Sequence, residues 1–448
     1  MLKRIILKKG EEVRILAGHP WVFDNEVAQI AAGKGAAQRD TVLEAGEIAD
    51  VESFRKEYLG RAFVNPASKI IARIYSSSKE GVDTGFFKKR IRNALTGRSL
   101  YNLNTESCRI VFAEADFLPG LIIDRFTGWP AKKVFEIFEA AELNGENTRK
   151  KITFDILCEK LGSPEHWLSI QFLSFGMDIR RDQIIEALAE VLGGHSGIVE
   201  KSAPVREKEG LPLYDRTISG SFPDEGIIIF ENGFAFLLNL LAGQKTGHFL
   251  DQARNRKHGG VWASELNKNL NRKIKVLDAF CYTGGFSVDI AASCAAEITS
   301  VDVSAPALKT LRINAELNGV TEKIRCTEAN VFDFLTKEVH AKAGYDMIIL
   351  DPPAFTKSRS TLDDAIRGYK EINLKAIKLL NPGGILITCS CSFALSESRF
   401  KAMIADAAFD AERRLTQVDF CYQPEDHPIL IGYDESLYLK CGIYRVQK

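Results

Sequence analysis

The run Val276-Leu277-Asp278-Ala279-Phe280-Cys281-Tyr282-Thr283-Gly284-Gly285-Phe286 takes an apolar strand into a glycine turn and then a helix, and the next apolar run ends at Asp302, 24 residues after Asp278. This pattern predicts a nucleoside-binding crevice, because parallel sheets bind ligands beyond the carboxyl ends of their strands. The glycines come too late in the turn for the Gly-x-Gly-x-x-Gly spacing of dinucleotide binders.

Around this turn the chain alternates. Strands are expected to Phe280, over 297–303, 323–329 and 345–350, with helices from Phe286, over 305–318 and over 331–342. That alternation implies an α/β, doubly wound parallel sheet. Ser304 suits a helix N-cap and Gly319 the residue just past a helix end. Then come a helix from Leu362 to Leu380, a strand from Ile385 to Thr388, a helix from Ser396 to Arg414, and closing strands near 416–422 and 436–446.

A chain of 448 residues exceeds one ordinary core, so other domains must precede this one. Residues 1–76 hold short apolar runs broken by Gly10, Gly18, Gly46 and Gly60, which predicts a small β-rich domain. Residues 77–222 read as a central α/β domain. It holds a basic helix from Thr84 to Leu95 containing Lys88, Lys89 and Arg90, a strand from Trp167 to Phe175, and a helix from Arg181 to Leu192 stopped by Gly193-Gly194. The catalytic domain is expected over 223–448, opening on a hairpin at Glu231-Asn232-Gly233.

The 59 basic and 59 acidic residues cancel, so no global field announces a nucleic-acid partner and any RNA contact must be local. Met1 to Lys9 lacks the apolar core of a secretion signal, and the most apolar stretch, Phe234 to Leu241, is too short to span a bilayer. A cytoplasmic protein without membrane contact is expected. Nine cysteines without a Cys-x-x-Cys pair argue against a zinc site.

Three elements carry the chemistry. Gly284 and Gly285 let backbone approach a ligand, the following helix N-terminus suits a carboxylate, and Asp302 can accept ribose hydroxyls. Asp351-Pro352-Pro353-Ala354-Phe355 ends another strand, where Asp351 can meet a base edge and Phe355 a base face. Thr388-Cys389-Ser390-Cys391-Ser392 ends the strand after Pro382-Gly383-Gly384. A pyrimidine is methylated at C5 only after a nucleophile attacks C6, and a thiolate suits that attack. Cys391 is expected further into the turn and Cys389 toward the sheet interior. Together these elements point to methyl transfer from S-adenosylmethionine.

With Leu7-Lys8-Lys9-Gly10, His19-Pro20-Trp21-Val22-Phe23, Gly85-Phe86-Phe87, Glu114-Ala115-Asp116-Phe117-Leu118-Pro119-Gly120-Leu121, Gly243-Gln244-Lys245-Thr246-Gly247-His248-Phe249-Leu250-Asp251-Gln252, Arg367-Gly368-Tyr369-Lys370, Asp426-His427-Pro428 and Leu437-Tyr438-Leu439-Lys440, the chain resembles the RlmI-type 23S ribosomal RNA cytosine-5 methyltransferases over nearly its whole length. The resemblance implies an N-terminal PUA domain (an RNA-binding β-barrel), a central α/β domain and a C-terminal class I (Rossmann-like) methyltransferase fold. It implies that Asp278, Phe280, Thr283, Gly284, Gly285, Phe286, Asp302, Val303, Ser304, Asn330 and Val331 border S-adenosylmethionine, with Asp251, Gln252 and Arg256 on a covering segment. Cys391 would be the nucleophile and Asp351 its catalytic neighbour. Pro352, Pro353 and Phe355 would hold the target base, Lys88, Lys89 and Arg90 would contact 23S ribosomal RNA, no metal would be used, and a homodimer is allowed.

Three features depart from that family. Residues 129–165 look like an inserted helical piece. Asn330 stands where an acid is common, although its amide oxygen can accept from an adenine amino group. Ala354 stands where many RNA cytosine-5 methyltransferases carry a second cysteine, leaving the base for the C5 proton unassigned. The rival readings are an amino-directed methyltransferase of adenine or guanine, which needs no thiol, and an inactive RNA-binding assembly factor.

Overall fold

In the first 76 residues glycines and charges keep the strands short, and β1 (Lys3–Leu7), β2 (Trp21–Val22), β3 (Val27–Ala31), β4 (Ile48–Glu52), β5 (Tyr58–Val64) and β6 (Ala72–Ser76) pair as a six-stranded sheet in the order β2-β6-β5-β4-β1-β3. The short helix α1 (Glu12–Leu16) follows β1. Ile5, Leu7, Val22, Ala49, Val51, Ala62 and Val64 form the core of this unit. The structure, a computed structural model, describes residues 2–32, 42–100, 107–143, 151–241, 247–355 and 361–447. Residues 243–246 of the Gly243–Gln252 motif and 144–150 of the inserted piece lie outside that description.

The central sheet has the order β11-β10-β9-β8-β12-β13, with β7 pairing β8. Its strands are β7 (Cys108–Phe112), β8 (Leu121–Pro130), β9 (Glu165–Phe172), β10 (Gly197–Lys201), β11 (Asp215–Gly220), β12 (Ile227–Glu231) and β13 (Phe234–Leu238). The helices of this region are α2 (Thr84–Ser99), α3 (Ala131–Leu143), α4 (Phe154–Leu161), α5 (Phe175–Asp178) and α6 (Arg181–Leu192). Gly193 ends α6 in the left-handed conformation, as its position after the last apolar residue predicts. The strand expected to Phe175 stops at Phe172, because Gly176 packs directly on Phe63 of the first domain and the backbone turns there.

The hairpin at Asn232-Gly233 forms as expected, with both residues at positive φ. Its first strand, β12, pairs with β8, so hydrogen bonding places the hairpin in the central sheet. An edge strand needs partners for its exposed amides, and two side chains of α9 (Ala305–Leu317) and its C-cap supply them. Asn318 accepts from the Ala235 N–H at 3.0 Å and donates to its carbonyl at 2.7 Å, while Asn314 accepts from the Leu237 N–H at 2.8 Å. The helices α3 and α4 of the inserted piece cover the other side of this hairpin, where Trp129, Leu157, Ile228 and Phe230 form one cluster.

The third sheet follows the expected alternation closely. Its strands β14 (Ile274–Ala279), β15 (Ala296–Asp302), β16 (Ile324–Glu328), β17 (Tyr345–Leu350) and β18 (Leu380–Ser390) are parallel, and β19 (Arg414–Cys421) and β20 (Lys440–Gln447) close it antiparallel in the order β16-β15-β14-β17-β18-β20-β19. The helices α7 (Ala253–Leu270) and α8 (Gly285–Ser293) cover one face, α10 (Val331–His340), α11 (Leu362–Leu379) and α12 (Glu397–Asp410) the other. Buried side chains accordingly split between two cores, Leu277, Ile348 and Leu386 on one face and Val276, Met347 and Ile387 on the other. Among the described residues no helix is long and apolar enough to cross a membrane.

Candidate functional site

Beyond β14 the chain leaves the sheet through Phe280 and Tyr282, at φ 64° and 49°, and enters α8 through Gly284 at φ 83°. A left-handed non-glycine residue costs roughly 1–3 kcal/mol and persists only where its surroundings hold it. Asp302 does so at the end of β15, accepting the Tyr282 N–H and the Ser304 N–H, each at 2.9 Å. Asn314 donates to the Thr283 carbonyl at 2.8 Å, so the residue that closes the hairpin edge also fixes this turn.

Beneath the turn lies Asp278, 1 % exposed. The Ser287 N–H and hydroxyl both donate to its Oδ2, at 3.1 and 2.5 Å, while Oδ1 is buried with no partner among the described residues. Burial pushes this carboxyl up to about 7, against the Ser287 hydrogen bonds and with added repulsion from Asp351 and Asp302. A buried acceptor left unspent demands a donor. The orphaned Asp278 oxygen suits the ammonium of an amino-acid ligand, and Asp302 suits ribose hydroxyls, so this cradle fits S-adenosylmethionine.

At the same edge of the sheet, Asp351 follows β17 and Cys391 follows β18, neighbouring parallel strands paired through Leu350 and Thr388. Gln252 donates to Asp351 at 2.7 Å and accepts from Asn255 at 2.6 Å, so a buried carboxamide chain from α7 fixes the carboxylate. Cys389 is fully buried inside β18 opposite Cys441, and the Cys441 hydrogen bond together with burial pushes its thiol well up. Cys391 is half-buried just past the strand. The next residue is gripped from two sides: the Ser392 hydroxyl lies 3.1 Å from the Tyr369 hydroxyl of α11, and its carbonyl accepts from Lys440 of β20 at 2.7 Å.

Several expected site residues stand differently from the sequence reading. Arg256 lies under the turn and not open to the crevice, because its guanidinium is spent on Glu231 at 2.6 and 2.8 Å and on the Phe249 carbonyl at 2.7 Å. Although burial alone would raise it, Arg256 and His248 hold the Glu231 carboxyl down to about 2. A Cβ at Gly285 would meet Arg256 Cδ at 2.5 Å, so glycine there answers to this arginine from below. Phe286 is buried in the core and offers the crevice only backbone. Val303 is 72 % exposed, Ser304 caps α9, and the Asn330 side chain caps α10 by accepting the Phe332 N–H at 2.9 Å. Val331, the first residue of α10, is buried in the core beside it.

Phe355 is not a bare platform. Its ring packs on Tyr369 at 4.5 Å and lies near Phe332 and Phe280, with Pro352 buried and Pro353 exposed before it. The basic trio of α2 is paired within the chain: Lys88 with Glu190, and Lys89 and Arg90 both with Glu80. Only Lys89 projects, its side chain 66 % exposed. As for metals, His258, Asp419 and Cys421 bring three donor atoms within 4.8 Å of one another.

Tyr369, Asn314, Glu231, Ser287 and Lys440 were not readable as site residues. Tyr369 and Lys440 lie in motifs that carry the family resemblance, but nothing in their own neighbourhood announces a partner far along the chain.

Residues 5–77 match the family model of a PUA-like domain, and residues 216–441 that of S-adenosylmethionine-dependent methyltransferases. A Shewanella denitrificans protein called ribosomal RNA large subunit methyltransferase I is 36 % identical, with 100 % of both chains covered. A Klebsiella pneumoniae protein of the same name is 33 % identical over 100 % of this chain and 99 % of its own. Among solved structures, a putative SAM-dependent methyltransferase from Streptococcus mutans shares the fold with a TM-score of 0.74 at 20 % identity, covering 99 % of this chain and 100 % of that one. A second, a putative methyltransferase complexed with SAH, has a TM-score of 0.74 at 19 % identity, covering 99 % and 100 %.

Proposed function

Since the chain belongs to the ribosomal RNA large subunit methyltransferase I family, we propose that it methylates C5 of a cytidine in 23S ribosomal RNA, with Cys391 as a covalent nucleophile. The observation that carries this reading is the placement of a half-buried thiol past β18 beside Asp351 past β17, at the sheet edge that also holds the Asp278 turn.

Bound S-adenosylmethionine supplies an electrophilic sulfonium methyl. Asp278, the Thr283–Gly285 turn and Asp302 would hold it, and Gln252, donating to Asp351, would keep that carboxylate directed at the base. The cytidine must be single-stranded or flipped to reach these groups, with its N3/N4 edge on Asp351. The Cys391 thiolate bonds to C6 and drives the 5,6 double-bond electrons onto C5, which takes the methyl group as the sulfonium S–CH3 bond breaks and the neutral thioether leaves. The C5 proton then leaves to Asp351 or to water, the C6–S bond breaks, and thiolate and double bond are restored. Ala354 contributes no second thiol to that proton transfer. The PUA-like N-terminal domain gives the RNA a second foothold, in the cytoplasm where ribosomes are built.

The test is methyl incorporation by Cys391→Ala into 23S ribosomal RNA from cells lacking the protein. We expect incorporation to fall at least about a thousand-fold, with cofactor affinity within about threefold of the parent. Undiminished incorporation would remove the covalent route, and identification of N6-methyladenosine in place of 5-methylcytidine would establish the amino-directed alternative.

A further inference from the structure

Lys440 is the first residue of β20, opposite Ser390 at the end of β18, and is only 1 % exposed. Its ammonium donates to the Ser392 carbonyl at 2.7 Å and to the Tyr438 carbonyl at 2.8 Å. Neither acceptor is charged. A buried cation without a counter-anion is costly, so the arrangement calls for a nearby negative charge.

The titratable groups that face this spot are Cys391 itself, Glu397 at the start of α12, Tyr369 on α11, Tyr422 past β19 and Tyr438 before β20. Glu397 is already spent, accepting from Lys401 at 2.7 Å and from the Tyr422 hydroxyl at 2.6 Å. Tyr438 donates its hydroxyl to Asp251 at 2.6 Å and stays neutral. Glu397 shares its charge with Lys401, and Cys391, one residue before the carbonyl that Lys440 holds, is the other group whose anion adds to this environment. Burial pulls the Lys440 ammonium down to about 8, and Cys391 is the first of the two groups that oppose the fall.

We infer that Lys440 is a positioning residue for the reaction: it fixes the turn that carries Cys391 through the Ser392 carbonyl and, as a desolvated cation, keeps Cys391 in its thiolate form. The inference rests on Cys391 being the nucleophile. An adjacent ammonium is the arrangement that activates a thiol at neutral pH.

The experiment follows the rate at which iodoacetamide alkylates Cys391 in the full-length protein as pH is varied, read by peptide mass spectrometry, in the parent, Lys440→Met and Lys440→Gln. In the parent, the alkylation midpoint is expected at least about one pH unit below the value near 8.5 of a free cysteine. In the variants it moves up by at least about one unit, so that alkylation near neutral pH slows about tenfold, and the acid limb of the methylation rate moves with it. A merely structural lysine would change yield or stability without moving that midpoint. A parent midpoint at or above that of free cysteine overturns the inference whether or not the variants fold, as does an unmoved midpoint in a variant that still binds S-adenosylmethionine. Full methylation by Cys391→Ala would instead sink the covalent reading, while the alkylation curve still reports on the lysine.

Discussion

At the scale of single residues, Asp278 combines an unspent oxygen with a carboxyl raised to about 7 from its ordinary 3.8. Because the folded value lies above the unfolded one, the acid is harmless while protonated, and the stability of the unliganded protein declines as pH rises from the unfolded value through about 7. A cationic ammonium placed beside it reverses the preference and favours the carboxylate. Binding of S-adenosylmethionine at about pH 6 should therefore release protons, and its affinity should rise with pH by up to about tenfold per unit until about 7. Calorimetry in two buffers of unequal ionisation enthalpy measures the release, and a heat independent of buffer would contradict it. The carboxylate was visible in the sequence as a strand-end acid. Its missing partner was not, since that depends on Ser287 saturating one oxygen and nothing among the described residues reaching the other.

Among elements, the glycine turn is held from below by the end of a hairpin. Glu231 closes β12, Arg256 lies on α7, and the guanidinium they share packs against Gly285. Both side chains are about 5 % exposed, so Glu231→Gln would strand a buried cation. We expect a loss of about 3–5 kcal/mol in denaturant unfolding together with weaker cofactor binding; a cost below about 1 kcal/mol would show that Arg256 is neutralised elsewhere. The hairpin itself was legible from Asn232-Gly233, and β17, α6 and the ends of α9 from apolar spacing and glycine stops, because those signals are local. Its membership was not. The sheet that a hairpin joins depends on β8, about a hundred residues earlier, and on α9, whose Asn314 and Asn318 read in sequence as ordinary polar positions. The strand β18 also begins earlier than expected, at Leu380, since Pro382-Gly383-Gly384 reads as a turn although it lies within the strand.

Across the whole molecule, the segment between β19 and β20 ties the three sheets together. Tyr433 packs on His19 and Trp21 of the first domain at 5.4 and 4.9 Å, and Gly432 meets the Ala17 carbonyl so closely that a Cβ would lie 2.0 Å from it. Asp426 accepts the Arg109 N–H at 2.8 Å with its side chain and Arg98 at 2.9 Å with its carbonyl, joining the central domain. The same segment then runs into Lys440, which donates to the Ser392 carbonyl at 2.7 Å, so one piece of chain and one hydrogen bond join the PUA-like domain to the Cys391 turn. The motifs at 426–428 and 437–440 marked this segment in the sequence without disclosing what it joins. In the proposed reaction, RNA held by this assembly presents a cytidine to Cys391. The most direct measurement replaces cytidine by 5-fluorocytidine in the 23S ribosomal RNA, because fluorine at C5 cannot leave as a proton and the adduct cannot collapse. After nuclease digestion, mass spectrometry should find a methylated fluorocytidine bound to the peptide containing Cys391. Normal methylation of unsubstituted RNA with no adduct on that peptide would contradict the account.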